Sequence, residues 1–370
     1  MRKLFYLMTV LLSSFAAHAQ KADYRLVVGT YTKSGASEGI YVYDFNTATA
    51  ALTPVSVEKN VINPSYLTVS PDKKFVYAVN ENGDNSTVSA FNFDVAKGNL
   101  SFINKQSAKG ADPCFIIADD KNVIIANYSG GSIAVYSKDK NGALSAAKQV
   151  VQHTGSGIDK ARQASSHVHM VRFSPDGKYV MVNDLGDDKV YVYTYNKNAG
   201  KDVLVLKNTV SVKPGSGPRQ MIFSTNGKFA YLLQEMHGDV TVFSYNDGVL
   251  KKIQETSQVA ENFKGKNGAA DIQTSADGKF VYLSNRGTAN NITTFAVAAD
   301  GKLVKKGQIS TGGKGPRAFV IDPSGKWLLV GNQNTDDITI FKRNSATGEL
   351  QATGKKVAVG SPVSFAFVKK

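Results

Sequence analysis

Gly217-Pro218-Arg219 leads into Ser224-Thr225-Asn226-Gly227-Lys228-Phe229-Ala230-Tyr231, and the same phrase returns elsewhere in the chain. It recurs as Asn63-Pro64-Ser65 before Ser70-Pro71-Asp72-Lys73-Lys74-Phe75-Val76-Tyr77, and as Gly315-Pro316-Arg317 before Pro323-Ser324-Gly325-Lys326-Trp327. Equivalent stretches begin near Asp112, Ser166, Ala269 and Ser361. Marked at Pro64, Pro113, Ser166, Pro218, Ala270, Pro316 and Pro362, the repeat steps by 46 to 53 residues, the period of a multi-stranded blade.

Each unit reads as four strands. An apolar strand follows the marker, then a turn such as Pro175-Asp176-Gly177-Lys178 or Ala276-Asp277-Gly278-Lys279. A second strand is aromatic or β-branched (Phe75 to Val79, Tyr179 to Val182, Phe280 to Leu283) and a third alternates (Val88 to Phe93, Val190 to Tyr195, Ile338 to Phe341), as half-buried strands do. A fourth, more polar, starts near Leu52, Leu100, Leu144, Leu204, Leu250, Leu303 and Leu350. After Pro362 only one strand remains, Val363 to Val368, while Tyr24 to Thr30, Gly39 to Phe45 and Leu52 to Glu58 lack an inner partner. One C-terminal and three N-terminal strands then share a blade that closes the ring and removes its open edges. The expectation is an all-β, seven-bladed β-propeller over residues 20–370.

The 370 residues are 42% hydrophobic and 20% charged, which excludes a disordered chain and a polytopic membrane protein. Arg2 and Lys3, the apolar Leu4 to Ala17 and the small-x-small Ala17-His18-Ala19 read as a signal peptide over residues 1–19, so an exported protein, periplasmic or extracellular, is expected. No later segment is long and apolar enough to span a membrane. The single Cys114 excludes an internal disulfide and reads as a small buried hydrophobe. The formal charge of +14 suggests nucleic acid, but Lys73, Lys74, Lys121, Lys178, Lys228, Lys279 and Lys326 all fall in the turns between first and second strands. They decorate one end of the ring as solvated turn residues, and no nucleic-acid partner is expected.

At the other end, blade topology gathers the marker residues and the loops after second strands. Arginines, histidines and a glutamate from non-adjacent units converge there, the pattern of an active site. Arg219, Arg286, Glu235, His167 and His169 are the candidate catalytic residues. Arg317, Gln220, Glu81, Asn127, His153 and Asn285 are the candidate substrate-binding residues. Arginines suit a carboxylate, a phosphate or an oxyanion, and a histidine or glutamate can move the proton of an attacking water. Glu235 beside arginines is expected to be ionised, with burial opposing. Plainer roles stand beside these: Arg219 and Arg317 as caps on blade carbonyls, Glu235 as an ion-pair partner, Asp184 as a turn former, Trp327 as core. His167-Val168-His169 places two imidazoles on one side of a strand, but an isolated pair does not make a metal site, and neither zinc spacing nor a Gly-rich phosphate loop occurs.

Gly29-Thr30-Tyr31-Thr32, Asn63-Pro64-Ser65-Tyr66-Leu67, Asn127-Tyr128-Ser129-Gly130-Gly131-Ser132, Arg162-Gln163, His167-Val168-His169, Gly217-Pro218-Arg219, Glu235 and Ser284-Asn285-Arg286-Gly287 resemble the seven-bladed lactonase family, which holds propeller-type 6-phosphogluconolactonases and carboxy-muconate lactonizing enzymes. The resemblance runs in order over essentially the whole mature chain. It implies metal-independent, cofactor-free chemistry on a small lactone, with His167 or His169, Arg219, Glu235 and Arg286 as the site. Two positions depart from the family pattern: Gln220 stands where a histidine is usual, and Ser166 where a proline is. Since 6-phosphogluconolactone is a cytoplasmic intermediate, an exported relative is expected to take another, anionic sugar lactone. A non-catalytic propeller binding an anionic glycan or a protein, and a muconate-type isomerase, are the alternatives.

Overall fold

The aromatic residue that opens a second strand has to be covered by something, because a single four-stranded sheet cannot bury both of its faces. In the computed structural model, which describes residues 22–33 and 36–370, the neighbouring sheet covers it. The expected leader at residues 1–19 lies outside the described residues. Seven four-stranded antiparallel sheets form the ring. Blade 1 pairs Pro362–Lys369 with Tyr24–Thr30, Gly39–Phe45 and Leu52–Lys59, the shared closing blade expected from the sequence. Blades 2 to 7 then follow in chain order, their inner strands being Tyr66–Val69, Pro113–Ala118, Val168–Phe173, Pro218–Phe223, Ala269–Thr274 and Pro316–Ile321.

The second strands Phe75–Asn80, Asn122–Asn127, Tyr179–Asp184 and Phe280–Asn285 are buried along their whole length. Both faces of each pack against other sheets, so they read as continuous apolar runs rather than alternating ones. The outermost strands are half exposed, as in Leu303–Ser310. The turn lysines Lys73, Lys74, Lys121, Lys178, Lys228, Lys279 and Lys326 are all exposed.

Blade-to-blade contact uses one recurring fit. A Cβ on Gly348, whose φ is +77°, would lie 2.3 Å from the Phe280 ring of the preceding blade. Gly142 on Phe75, Gly248 on Tyr179 and Gly301 on Phe229 repeat the arrangement. Hydroxyls add to it: Tyr77 donates to the Gly142 carbonyl at 3.1 Å and Tyr282 to that of Gly348 at 2.8 Å. At the ring closure Trp327 is half-buried and donates its Nε1–H to the Thr47 carbonyl at 2.9 Å. Its place in the repeat is that of Phe75, as expected, but it serves as a latch between the last blade and the first rather than as full core.

Gly354 also has a left-handed φ, +75°, but a Cβ there would meet nothing within 4 Å. Gly354→Ala is therefore expected to cost only the backbone term, about 1–2 kcal/mol. Gly348→Ala should cost about 1–3 kcal/mol more, through overpacking on Phe280. Urea unfolding of the two variants checks the difference; equal losses would mean the inter-blade fit contributes nothing.

Candidate functional site

Two repeated backbone features aim side chains at the channel mouth. The first is a bulge near the start of the inner strand. Pro113 pairs with Asn127 and Phe115 with Ala126, so Cys114 has no cross-strand partner. Pairing skips His169, Arg219 and Arg317 in the same way, and Val363 in the closing blade. An unpaired extra residue of this kind re-aims its side chain.

The second is a hydrogen bond made once in every blade. The N–H of the residue just past the second strand donates to the carbonyl of the residue before the bulged segment. Tyr31, Glu81, Tyr128, Leu185, Glu235, Arg286 and Gln333 donate to Ser361, Asn63, Asp112, His167, Gly217, Gly268 and Gly315, at 2.7–3.3 Å. Gly217 and Gly315 reach the left-handed φ this needs, +68° and +69°, at no steric cost.

These positions enclose a recess of about 590 Å³, mouth included, to which every blade contributes. Its wall comprises Tyr31, Glu81, Asp112, Cys114, Tyr128, Ser129, Arg162, His169, Glu235, Arg286 and Arg317. The space inside it is about 250 Å³, a compact site for a small ligand. Other surface grooves, such as that between Val61 and Phe102, lie among outer strands and gather no comparable set of charges.

Glu235 is the hub, 7% exposed. Its Oε2 accepts from Arg219 Nε at 2.8 Å and lies 3.2 Å from Arg286 Nη2, while Oε1 accepts from Arg162 Nη2 at 2.8 Å. Burial alone would raise this carboxyl, but Arg286 and Arg219, with the hydrogen bond from Arg162, hold it well below the usual carboxylate range, so it is ionised as expected. Arg219 is fixed in turn: it donates to the Ala270 carbonyl, and its Nη1 lies 3.2 Å from the Gln220 amide oxygen, with the amide oriented so that its nitrogen donates to Asp271 at 2.7 Å. Arg286 donates to the carbonyl of Gly268 at 2.9 Å; burial draws it down to about 10, which leaves it a cation at neutral pH.

His169 Nε2 lies 3.7 Å from Glu235 Oε2, and its Nδ1 lies 3.6 Å from Cys114 Sγ. Burial, with Arg219 adding to it, pushes the imidazole well below its ordinary value. His169 is therefore neutral beside an ionised glutamate.

Several expected residues lie elsewhere. His167 precedes the inner strand instead of sharing a strand face with His169. It stacks on Tyr128 with centroids 4.6 Å apart and its Nδ1 faces the Tyr128 carbonyl at 3.0 Å, outside the recess wall. Asn127 and Asn285 are the last residues of their second strands, one position short of the mouth, and both are buried. Asn127 donates to the Ala108 carbonyl at 3.0 Å, and Asn285 accepts from the Gly268 N–H at 3.0 Å; both pin loops and neither meets the recess. His153 is buried between Asp184 Oδ2 and the Tyr193 hydroxyl, each 2.9 Å away. Gln220 lies beneath the recess, on Arg219. Asp184 accepts from the N–H groups of His167 and Gly186, the turn-forming role expected. Arg219 both caps a carbonyl and holds Glu235. Glu81 and Arg317 are in the wall.

Sequence reading brought Arg162 and Tyr128 to this end of the ring but named neither as a candidate, and it passed over Tyr31 and Asp112. Tyr31 and Tyr128 occupy the repeat position of Glu235 and Arg286, a signal that was available. Arg162 has no counterpart in other blades. Among the described residues no group of three or more His, Cys, Asp or Glu side chains is placed to hold a metal ion.

A family profile described as "Lactonase, 7-bladed beta-propeller" matches residues 25–367. A 6-phosphogluconolactonase of Formosa agariphila is 35% identical over 92% of this chain and 98% of its own length, and one of Bacillus subtilis is 34% identical over 92% and 97%. Among solved structures, a protein of Bacteroides fragilis assigned as a 6-phosphogluconolactonase is 44% identical, covering 95% of this chain and 99% of its own, with a TM-score of 0.90. A periplasmic gluconolactonase of Pseudomonas aeruginosa is 38% identical over 93% and 99%, with a TM-score of 0.88.

The neutral His169 sets a pH dependence of stability. The unfolded chain takes up a proton near pH 6.5 that the folded chain refuses. Stability should therefore fall as pH drops below about 6.5, by at most about 1.4 kcal/mol per pH unit from this group. His169→Gln should flatten that part of the curve, measured by urea unfolding between about pH 7 and 5. An unchanged slope would mean that His169 is protonated in the folded chain.

Proposed function

The chain belongs to the seven-bladed β-propeller lactonase family and is a lactone-hydrolysing enzyme of the 6-phosphogluconolactonase kind, and from that premise we propose that it opens an anionic sugar lactone in the recess around Glu235, outside the cytoplasm. The observation that carries the mechanism is geometric: His169 Nε2 lies 3.7 Å from Glu235 Oε2, and Arg286 lies 3.2 Å from the same oxygen.

A 3.7 Å separation exceeds a hydrogen bond, so Nε2 keeps its lone pair free for the proton of a water. In the proposed reaction water attacks the lactone carbonyl and His169 Nε2 takes its proton. The imidazolium so formed is stabilised through space by the Glu235 carboxylate, 3.7 Å from the protonated nitrogen. Arg286 donates to the oxyanion of the tetrahedral intermediate. The bond from carbonyl carbon to ring oxygen then breaks, and His169 returns the proton to the leaving alkoxide. The product is the open hydroxy acid, and no other reactant is consumed.

The tautomer required has Nδ1 protonated. Cys114 supports it: its Sγ lies 3.3 Å from the His169 carbonyl, to which the thiol donates, so the sulfur remains free to accept from Nδ1–H. Arg219, sealed beneath Glu235, orients the carboxylate and does not touch substrate. Export rests on the leader at residues 1–19, and the Pseudomonas relative described as periplasmic supports it.

Purified protein lacking residues 1–19, incubated with sugar lactones at constant pH, should release protons faster than the spontaneous rate with or without EDTA. His169→Asn should lose about 10²–10⁴-fold in kcat, the scale of general acid–base catalysis. Arg286→Ala should lose about 10²–10³-fold, the scale of one oxyanion donor. An Arg286→Ala rate within about twofold of wild type would exclude its role as that donor.

A further inference from the structure

The arginines at this mouth are not equally occupied. Arg219 and Arg286 spend donors on backbone carbonyls and on Glu235. Arg162 bonds Glu235 and the Tyr128 hydroxyl. Arg317 lines the same recess, and among the described residues its guanidinium has neither a hydrogen bond nor an ion pair. It does have a platform, since the guanidinium lies over the Tyr31 ring, 5.3 Å from the centroid. Tyr31 is held in turn by its hydroxyl, which donates to Glu81 Oε1 at 2.9 Å.

A half-buried guanidinium with its planar fork unspent needs acceptors, and the fork matches a carboxylate or a phosphate bidentately. The backbone did not have to place it there. Arg317 is the bulged residue of its inner strand, a position that Val363 fills in the closing blade without any polar group. Its blade adjoins that of Arg286, so one ligand could meet both.

We infer that Arg317, seated on Tyr31, binds the anionic substituent of the lactone, a phosphate ester or a carboxylate, while Arg286 receives the ring carbonyl. This rests on the lactonase reading above and names what that reading leaves open, the residue that selects for charge. Tyr31 and Glu81 act through Arg317 as positioning residues.

The test compares 6-phosphogluconolactone with gluconolactone for wild type, Arg317→Gln and Arg317→Lys, alongside calorimetric titration with inorganic phosphate and circular dichroism to establish folding. Arg317→Gln should lower the ratio of kcat/KM for the phosphorylated over the plain lactone by about 10–100-fold, chiefly through KM, the scale of charge-assisted hydrogen bonds. Arg317→Lys, which keeps the charge and loses the fork, should fall between. An unchanged ratio, or equal losses on both lactones, would overturn the inference while leaving the lactonase reading intact. Should the wild type hydrolyse neither lactone, that reading fails and calorimetry decides alone. Phosphate binding lost in Arg317→Gln upholds the anion site; phosphate binding retained in the variant, or undetectable in the wild type, removes it. If Arg317→Gln does not fold, Arg317→Lys carries the same comparisons.

Discussion

The rest of the site hangs on one backbone hydrogen bond, from the N–H past each second strand to the carbonyl ahead of the inner strand. It ends the ladder at the same point in all seven blades. The side chain before it is turned inward and pinned, and the side chain that carries it is released to the mouth. In this chain Tyr31, Glu81, Tyr128, Glu235 and Arg286 reach the recess in this way, while Leu185 stays buried and Gln333 lies outside the wall. Because the bond uses only main-chain atoms, these residue types are free of the fold's demands. Chemistry can be written there without disturbing the blades, which is how one architecture serves many functions.

That freedom has an electrostatic cost, because a buried carboxylate is tolerated only where cations and hydrogen bonds replace its water. Glu235 has Arg219, Arg286 and Arg162 for the purpose. Arg219 would be a second buried charge in difficulty were it not shared between Glu235, the Ala270 carbonyl and Gln220. Gln220 stands where the family usually has histidine, and here it links two charged groups with a neutral amide. Asp271, its other partner, is pushed up to about 6 by burial even though the Phe319 and Ile272 N–H groups favour its charge. A residue that cannot act as a base thus has a clear electrostatic task.

The blades and their closure were legible because a repeated turn and a repeated aromatic are local signals, and local signals survive without knowledge of packing. Glu235, Arg286 and Arg317 were legible for the same reason, being fixed by offset from those turns. The bulge was not legible. Marking the fourth blade at Ser166 rather than at Val168, the true counterpart of Pro218, left His167 and His169 indistinguishable. Only pairing shows that His169 is the skipped residue. Asn127 and Asn285 were misjudged by a single position, and in a strand one residue reverses the facing of a side chain. His153 and Arg162 lie on the long link into the fourth blade, where no repeat offers an offset to count from.

The arrangement of charge also constrains how the reaction can begin. A carboxylate surrounded by three guanidiniums has little basicity to spare, so the proposed mechanism assigns the proton to His169 and leaves Glu235 to stabilise the imidazolium. The three cations differ in freedom: the Arg219 side chain is 2% exposed, that of Arg286 18% and that of Arg162 44%. In the proposed reaction the lactone carbonyl therefore draws on Arg286, and Arg162 has the room to move with it, while Arg219 stays in place. In that proposed step, as Arg286 turns to the carbonyl, Glu235 loses countercharge and its hold on an imidazolium strengthens. On the proposed mechanism the same exchange that binds the substrate raises the basicity of His169, so that part of the binding energy appears in the transition state rather than in the ground state.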